Sequence, residues 1–116
     1  MSVRAARRHR PADPTHAAPV FAALGDATRL ALVGRLGAEG PLSIPQLASE
    51  SAVTRQAVTK HLHVLADAGL VRGVKVGRER RWEFEPSQLD EARRSLDAIA
   101  RQWDHALERL KVAVEG

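Results

Sequence analysis

Residues 54–71 read TRQAVTKHLHVLADAGLV. Val58, Leu62 and Leu65 follow one another at spacings of four and three, which places them on one stripe of an α-helix. Thr54 stands where a cap accepts the first free backbone N–H groups, and Gly69 stands where a helix ends in the left-handed conformation. The stretch predicts a helix over 55–68. Its opposite face carries Arg55, Gln56, Thr59, Lys60 and His63 and no large apolar residue. One side locks onto a core, and the other offers hydrogen-bonding groups and positive charge to something outside.

Working upstream, Ser43 and Gln46 have the spacing of a reciprocal capping pair. A short helix starts there, with Leu47 and Ala48 as its apolar face, and ends near residues 49–52. Two helices joined by a tight turn, the second with a free polar face, are what a helix-turn-helix reader of duplex DNA requires, because its second helix must enter the major groove. Further upstream, residues 15–24 predict a short helix with Val20, Phe21 and Leu24 on one side, closed by Gly25. Asp26 caps a helix over 27–36 whose stripe is Leu30, Val33 and Leu36, stopped by Gly37 and Gly40-Pro41. Arg29 is open to two roles, a phosphate contact or an internal salt bridge.

Downstream, the period changes to two. Val74 and Val76 alternate with Lys75, and Trp82 and Phe84 alternate with Arg81, Glu83 and Glu85, so residues 70–85 predict a β-hairpin turning near Gly77. A hairpin directly after a recognition helix is a wing. Lys75, Arg78 and Arg80 form its basic tip, facing DNA or solvent or pairing with Glu79, while Trp82 and Phe84 suit the core at its root. Pro86 breaks the strand, and Ser87 with Asp90 makes another capping pair. A long helix then runs to about residue 112. Leu89, Ala92, Leu96, Ile99, Trp103, Ala106 and Leu110 recur at alternating spacings of three and four, a heptad seam that Leu107 widens. The first half of this seam can pack on its own domain. The second half extends beyond what so small a domain covers, and is assigned to a partner subunit.

At 116 residues the chain is one domain by length. The net charge is +4, and Arg4, Arg7, Arg8 and Arg10 account for it: the remaining 14 basic and 14 acidic residues cancel. Residues 1–14, basic and bounded by Pro11 and Pro14, read as a disordered arm, and residues 15–113 as the folded domain. Within that domain, residues 54–81 hold seven basic residues against Asp67 and Glu79, a local excess that suits a polyanion. There is no cysteine, which excludes disulfides and thiolate metal sites and suits a cytoplasmic protein. No apolar run approaches the roughly 20 residues of a membrane span. No nucleophile–base pair, phosphate loop or paired carboxylates argue for an enzyme.

Three segments carry a family resemblance. Residues 24–30 (LGDATRL), 54–71 and 77–84 (GRERRWEF) resemble the ArsR/SmtB family of winged-helix regulators over roughly residues 18–113. The resemblance implies a mainly α fold with a small hairpin wing, in the order α-α-α-α-β-β-α. It implies a repressor that dimerises through its first and last helices and binds an inverted repeat. The DNA contacts expected are Arg55, Gln56, Thr59, Lys60 and His63 of the helix and Lys75, Arg78 and Arg80 of the wing. The dimer contacts expected are Val20, Phe21, Leu24, Leu96, Ile99, Trp103, Leu107 and Leu110.

The chain departs from the family's metal-sensing pattern. The segment where a thiolate motif is usual has no cysteine, and the last helix has only His105. Asp104 and His105 are adjacent and point about 100° apart, as do neighbours on any helix. His61 suits a partly buried structural role, and His63 either a DNA contact or plain surface. The chain therefore resembles a metal-independent branch, with no cofactor. Double-stranded DNA and a second copy of the chain are the expected partners, with no membrane and with room for a small-molecule effector of unknown identity. The alternatives are a metal-responsive repressor of the same fold and a winged-helix module that binds protein.

Overall fold

The computed structural model describes residues 14–115. The four arginines of the basic arm lie outside these residues. Pro14, expected to close the arm, already belongs to a 3-10 turn, Pro14–Ala17. Then come α1 (Ala18–Leu24), α2 (Ala27–Glu39), α3 (Ile44–Ser49), α4 (Arg55–Asp67), the strands β1 (Val71–Val76) and β2 (Glu79–Phe84), and α5 (Ser87–Glu115). The element order is the expected one, with the 3-10 turn added.

The helix ends form for local reasons. The Asp26 carboxylate accepts the Arg29 N–H at 3.0 Å and starts α2. Ser43 and Gln46 make the reciprocal box: the Ser43 Oγ accepts the Gln46 N–H at 3.3 Å, and Gln46 Oε1 accepts the Ser43 N–H at 2.8 Å. The Thr54 Oγ1 accepts the Ala57 N–H at 3.1 Å and starts α4. At the other end of α4 the Leu70 N–H donates to Leu65 O and the Gly69 N–H to Ala66 O, both at 2.9 Å. Gly69 has φ +76°, so this is a Schellman closure that turns the chain into the wing.

Three expectations about helix ends and faces need correction. Helix α2 runs through Gly37 to Glu39 and stops at Gly40, φ +85°. Its buried residues are Leu32, Val33 and Leu36, while Leu30 is 56% exposed. Leu30, Ala31, Leu32 and Val33 are consecutive apolar residues, so the run fits more than one stripe, and packing selects the one centred between Val33 and Leu36. At α5 it is the Glu85 carboxylate, rather than a Ser87–Asp90 pair, that accepts the Ser87 N–H, at 3.1 Å.

The core gathers Val20, Ala23, Leu32, Val33, Leu36, Leu47, Val58, Leu62, Leu65, Leu70, Val71 and Trp82, with every element from α1 to β2 contributing. Strands β1 and β2 pair antiparallel from Val71↔Phe84 to Val76↔Glu79, leaving Gly77 and Arg78 as a two-residue loop. Gly77 has φ +65° and no other loop residue has positive φ, the arrangement of a type II′ turn with glycine in its first position. Leu42, just before α3, adds a one-residue third strand: its N–H donates to Trp82 O at 3.0 Å, and the Trp82 N–H to Leu42 O at 2.8 Å. Helix α5 is 29 residues long, about 44 Å at 1.5 Å per residue. It touches the 3-10 turn and α1, but only Ala92 on it is buried. The helix therefore projects, and the chain measures 65 × 42 × 20 Å.

Candidate nucleic-acid interface

At about 100° per residue, Arg55, Gln56, Thr59, Lys60 and His63 fall within an arc of about 140°, and Val58, Leu62 and Leu65 within about 60° on the other side of α4. The structure keeps that division. The three apolar residues are fully buried, and Arg55, Gln56, Lys60 and His63 are exposed. Thr59 is half-buried, and its hydroxyl donates to Arg55 O at 2.8 Å. Its oxygen remains an acceptor and its methyl stays available to a thymine methyl, but its proton is committed. The positive end of the helix dipole adds to Arg55 at the N-terminus of α4, where a phosphate is favoured.

The hairpin sorts its charges by face, because strand side chains alternate. One face carries Arg72 on β1 and Glu79, Arg81 and Glu83 on β2, and these residues pair. Arg72 Nε meets Glu83 at 2.6 Å, a second Arg72 nitrogen meets Glu85 at 3.4 Å, and Arg81 meets Glu79. Glu79 therefore pairs with Arg81, and not with Arg78 or Arg80. The other face carries Val71, Gly73 and Lys75 opposite Phe84, Trp82 and Arg80. It is apolar at its root and basic at its tip. Lys75 and Arg80 sit directly opposite one another, an arrangement that disfavours the free protein and that an anion relieves. Among the described residues, Arg55, Lys60, Lys75, Arg78 and Arg80 have no carboxylate within ion-pair distance, although acidic residues neutralise the cations on the back of the same hairpin.

Trp82 and Phe84 belong to the wing root as expected: Trp82 is 5% exposed, and Phe84 packs against the core. His63 is neither isolated nor plain surface. Its ring meets that of Trp82 edge-on, with centroids 6.0 Å apart. This contact puts the basic face of the wing on the same side as the polar face of α4. The Arg80 guanidinium carbon lies 5.3 Å from the Trp82 ring centroid, a contact that no single stretch of sequence announces. Two signals could have found it: the two-residue spacing of Arg80 and Trp82, and an isolated glycine opposite them, which marks a close approach.

Arg29 fills neither role left open for it. Its Nε donates to Ala23 O at 2.6 Å and its Nη2 to Ala22 O at 3.4 Å, so it closes the carbonyl end of α1. Its Nη1 lies 3.4 Å from His61 Nδ1, which makes His61 the half-buried structural histidine expected. A guanidinium at that distance opposes a metal ion on the same nitrogen. The hydrogen bond from the Arg29 backbone, ahead of the nearby Arg29 and His61 charges, lowers the Asp26 pKa below its ordinary 3.8. Beside α2, a pocket of about 330 Å³ opens toward the α3–α4 turn, with Thr28, Leu32, Arg35, Leu47 and Val53 in its lining. Arg35 pairs with Glu39 on its own helix at 2.9 Å and with Glu50 at 3.3 Å, the second pair tying α2 to the C-terminus of α3.

The residues expected at a dimer surface divide. Leu96, Ile99, Trp103, Leu107 and Leu110 form an exposed stripe along α5, with Trp103 64% exposed, and Phe21 is exposed on α1. Val20 is corrected: it is 3% exposed, in the protomer's own core. Leu24 is half-buried against that core. α1 turns Val20 and Ala23 inward, which leaves Phe21 outside.

A helix-turn-helix domain family matches residues 24–74, from the end of α1 through most of β1. The HTH-type transcriptional regulator Rv2034 of Mycobacterium tuberculosis is 44% identical over 85 residues, which are 73% of this chain and 76% of that protein. An ArsR-like transcriptional regulator from Rhodococcus sp. RHA1 has a solved structure that superposes with a TM-score of 0.75. It is 41% identical over 84% of this chain and 91% of the other. The chain belongs to the ArsR family of winged helix-turn-helix transcriptional regulators. A second solved ArsR family regulator agrees, with a TM-score of 0.65 and 29% identity over 85% of this chain and 97% of its own. ArsR membership makes the β1–β2 hairpin the wing of the fold, and the chain a transcriptional regulator with a helix-turn-helix domain rather than an enzyme. No single helix among the described residues is long and apolar enough to cross a membrane.

Proposed function

We propose that this ArsR-family chain is a repressor that binds an inverted-repeat site on duplex DNA as a homodimer and works in the cytoplasm, where that DNA is. Helix α4 of each protomer lies in a major groove, with Gln56, Thr59, Lys60 and His63 toward base edges and Arg55 toward a phosphate. Lys75 and Arg78 of each wing lie against the adjoining backbone. The observation that carries this reading is the sorting of charge. The cations facing the same way as the exposed side of α4 have no carboxylate partner, while those on the back of the wing do. The apolar stripe of α5 supports pairing of two copies, because about half of a 29-residue helix presents large apolar residues to water. A dimer seated on a promoter covers duplex that a polymerase needs, which is repression.

The test is to let the purified protein select duplexes from random sequence and to footprint the winner. The expected result is two protected half-sites related by a two-fold axis, about 10 base pairs apart centre to centre. No enriched sequence, or one asymmetric protected patch, overturns the reading.

A further inference from the structure

Trp82 sits where three pieces of chain meet. Its backbone is bridged to Leu42, its ring meets His63 of α4, and the guanidinium of Arg80 lies over the ring. Gly73 stands directly opposite Trp82 in the register. A Cβ on Gly73 would come within 3.2 Å of Arg80 Nη2 and 3.3 Å of its Nε, so the guanidinium occupies space that glycine leaves open. A planar guanidinium stacks on an indole in a way that a lysine ammonium does not reproduce. The Trp82 ring is buried and fixed, whereas a two-stranded ribbon by itself is only marginally ordered.

We propose that Arg80 is a positioning residue for DNA recognition, and not the direct wing contact the sequence suggested. Lying on Trp82 in the space opposite Gly73, it fixes the angle between wing and α4 and the orientation of the His63 ring. DNA then meets a preformed surface and need not order a loose wing on binding. Lys75 and Arg78 remain the wing's contacts. The inference rests on the reading of α4 and the wing as one DNA-facing surface.

The test uses the full chain and a duplex that it has selected from random sequence. Arg80→Gln removes the cation; Gly73→Val keeps every charge and fills the space in which the guanidinium lies. Both are expected to lose about tenfold in affinity, with the slope of log affinity against log salt unchanged. Arg80→Lys keeps the charge without the planar stack and is expected to behave like Arg80→Gln; it carries the same distinction where Gly73→Val does not fold. A slope shallower by about 0.9 per lost contact in Arg80→Gln, with Arg80→Lys binding as the unaltered chain does, makes Arg80 a phosphate contact and overturns the inference. Full affinity in all three variants also overturns it. Failure to select any duplex is a failure of the DNA-binding reading itself. The stack is then read in the free protein by NMR: the His63 ring-proton resonances move in Arg80→Gln and Gly73→Val, and unmoved resonances contradict the inference.

Discussion

The segment from α2 to β2 and the stripe of α5 from Leu96 to Leu110 are both built from large apolar residues and end in opposite states. In the first, Leu47, Val58, Leu62, Leu65 and Leu70 are fully buried. In the second, Leu96, Ile99, Trp103, Leu107 and Leu110 all stand in water, at 45–64% exposure. The DNA-reading part closes its core within one chain, so the polar face of α4 is held by packing that does not depend on a partner. Among the described residues nothing covers the α5 stripe, and in the proposed dimer a second copy does. Damage to the first region should act at any protein concentration, and damage to the second only through association.

The largest effect is expected in the closed region. Leu62→Ala empties a fully buried site and should cost about 3 kcal/mol or more, out of a total stability of about 5–15 kcal/mol for a domain of this size. The loss should read the same in dilute and concentrated thermal melts. Trp103→Ala comes next and sharpens the contrast. It should weaken the dimer by about 3 kcal/mol, roughly a hundredfold in dissociation constant, as sedimentation would show. At the same time the monomer should keep its cooperative unfolding. A variant that dimerises as well as the parent would place Trp103 outside the interface.

Smaller changes probe the helix ends that aim the two regions. Thr54→Ala removes the cap of α4 and should cost about 1 kcal/mol in chemical denaturation. DNA affinity should fall with it, since Thr54 orders the turn before Arg55. The smallest effect concerns Asp26, whose folded pKa is depressed chiefly by the hydrogen bond from the Arg29 backbone. A depressed carboxylate stabilises the fold at pH above its unfolded value, near 3.8, and that contribution is lost as pH falls through the lower folded value. The Glu85 carboxylate behaves likewise through its bond to the Ser87 N–H. Asp26→Asn should therefore flatten part of the acid limb of a stability–pH curve by lowering stability at neutral pH and leaving the acid end nearly unchanged, as denaturation at a series of pH values would show. An acid limb as steep as the parent's would show that the cap does not titrate with folding.

What the sequence made legible follows from how local each signal is. The stripe of Val58, Leu62 and Leu65, the caps at Asp26, Ser43 and Thr54, and the stop at Gly69 each rest on residues within a few turns of one another. All appear in the structure as expected. Contacts between distant segments left no such trace. Leu42 pairs with Trp82 across 40 positions as a one-residue strand, too short to show a period. Within APVFAAL (residues 18–24) nearly every position is apolar, so periodicity cannot decide between Val20 and Phe21, and the core takes Val20. The sequence showed Arg29 as a charge seeking a charge, whereas it serves the free carbonyls at the end of α1. At the recognition surface, the residue types of α4 and the wing were readable. Which wing arginine points outward and which lies on an indole depended on Gly73, across the hairpin.

In the proposed complex two copies, joined through α5, present two α4 faces to one duplex. Sedimentation of the full chain on its selected duplex measures this directly, compared with Trp103→Ala at the same concentration. Two chains per duplex are expected for the parent, and weakened, concentration-dependent occupancy for the variant. A single chain bound at full affinity, unaffected by the loss of Trp103, would contradict it.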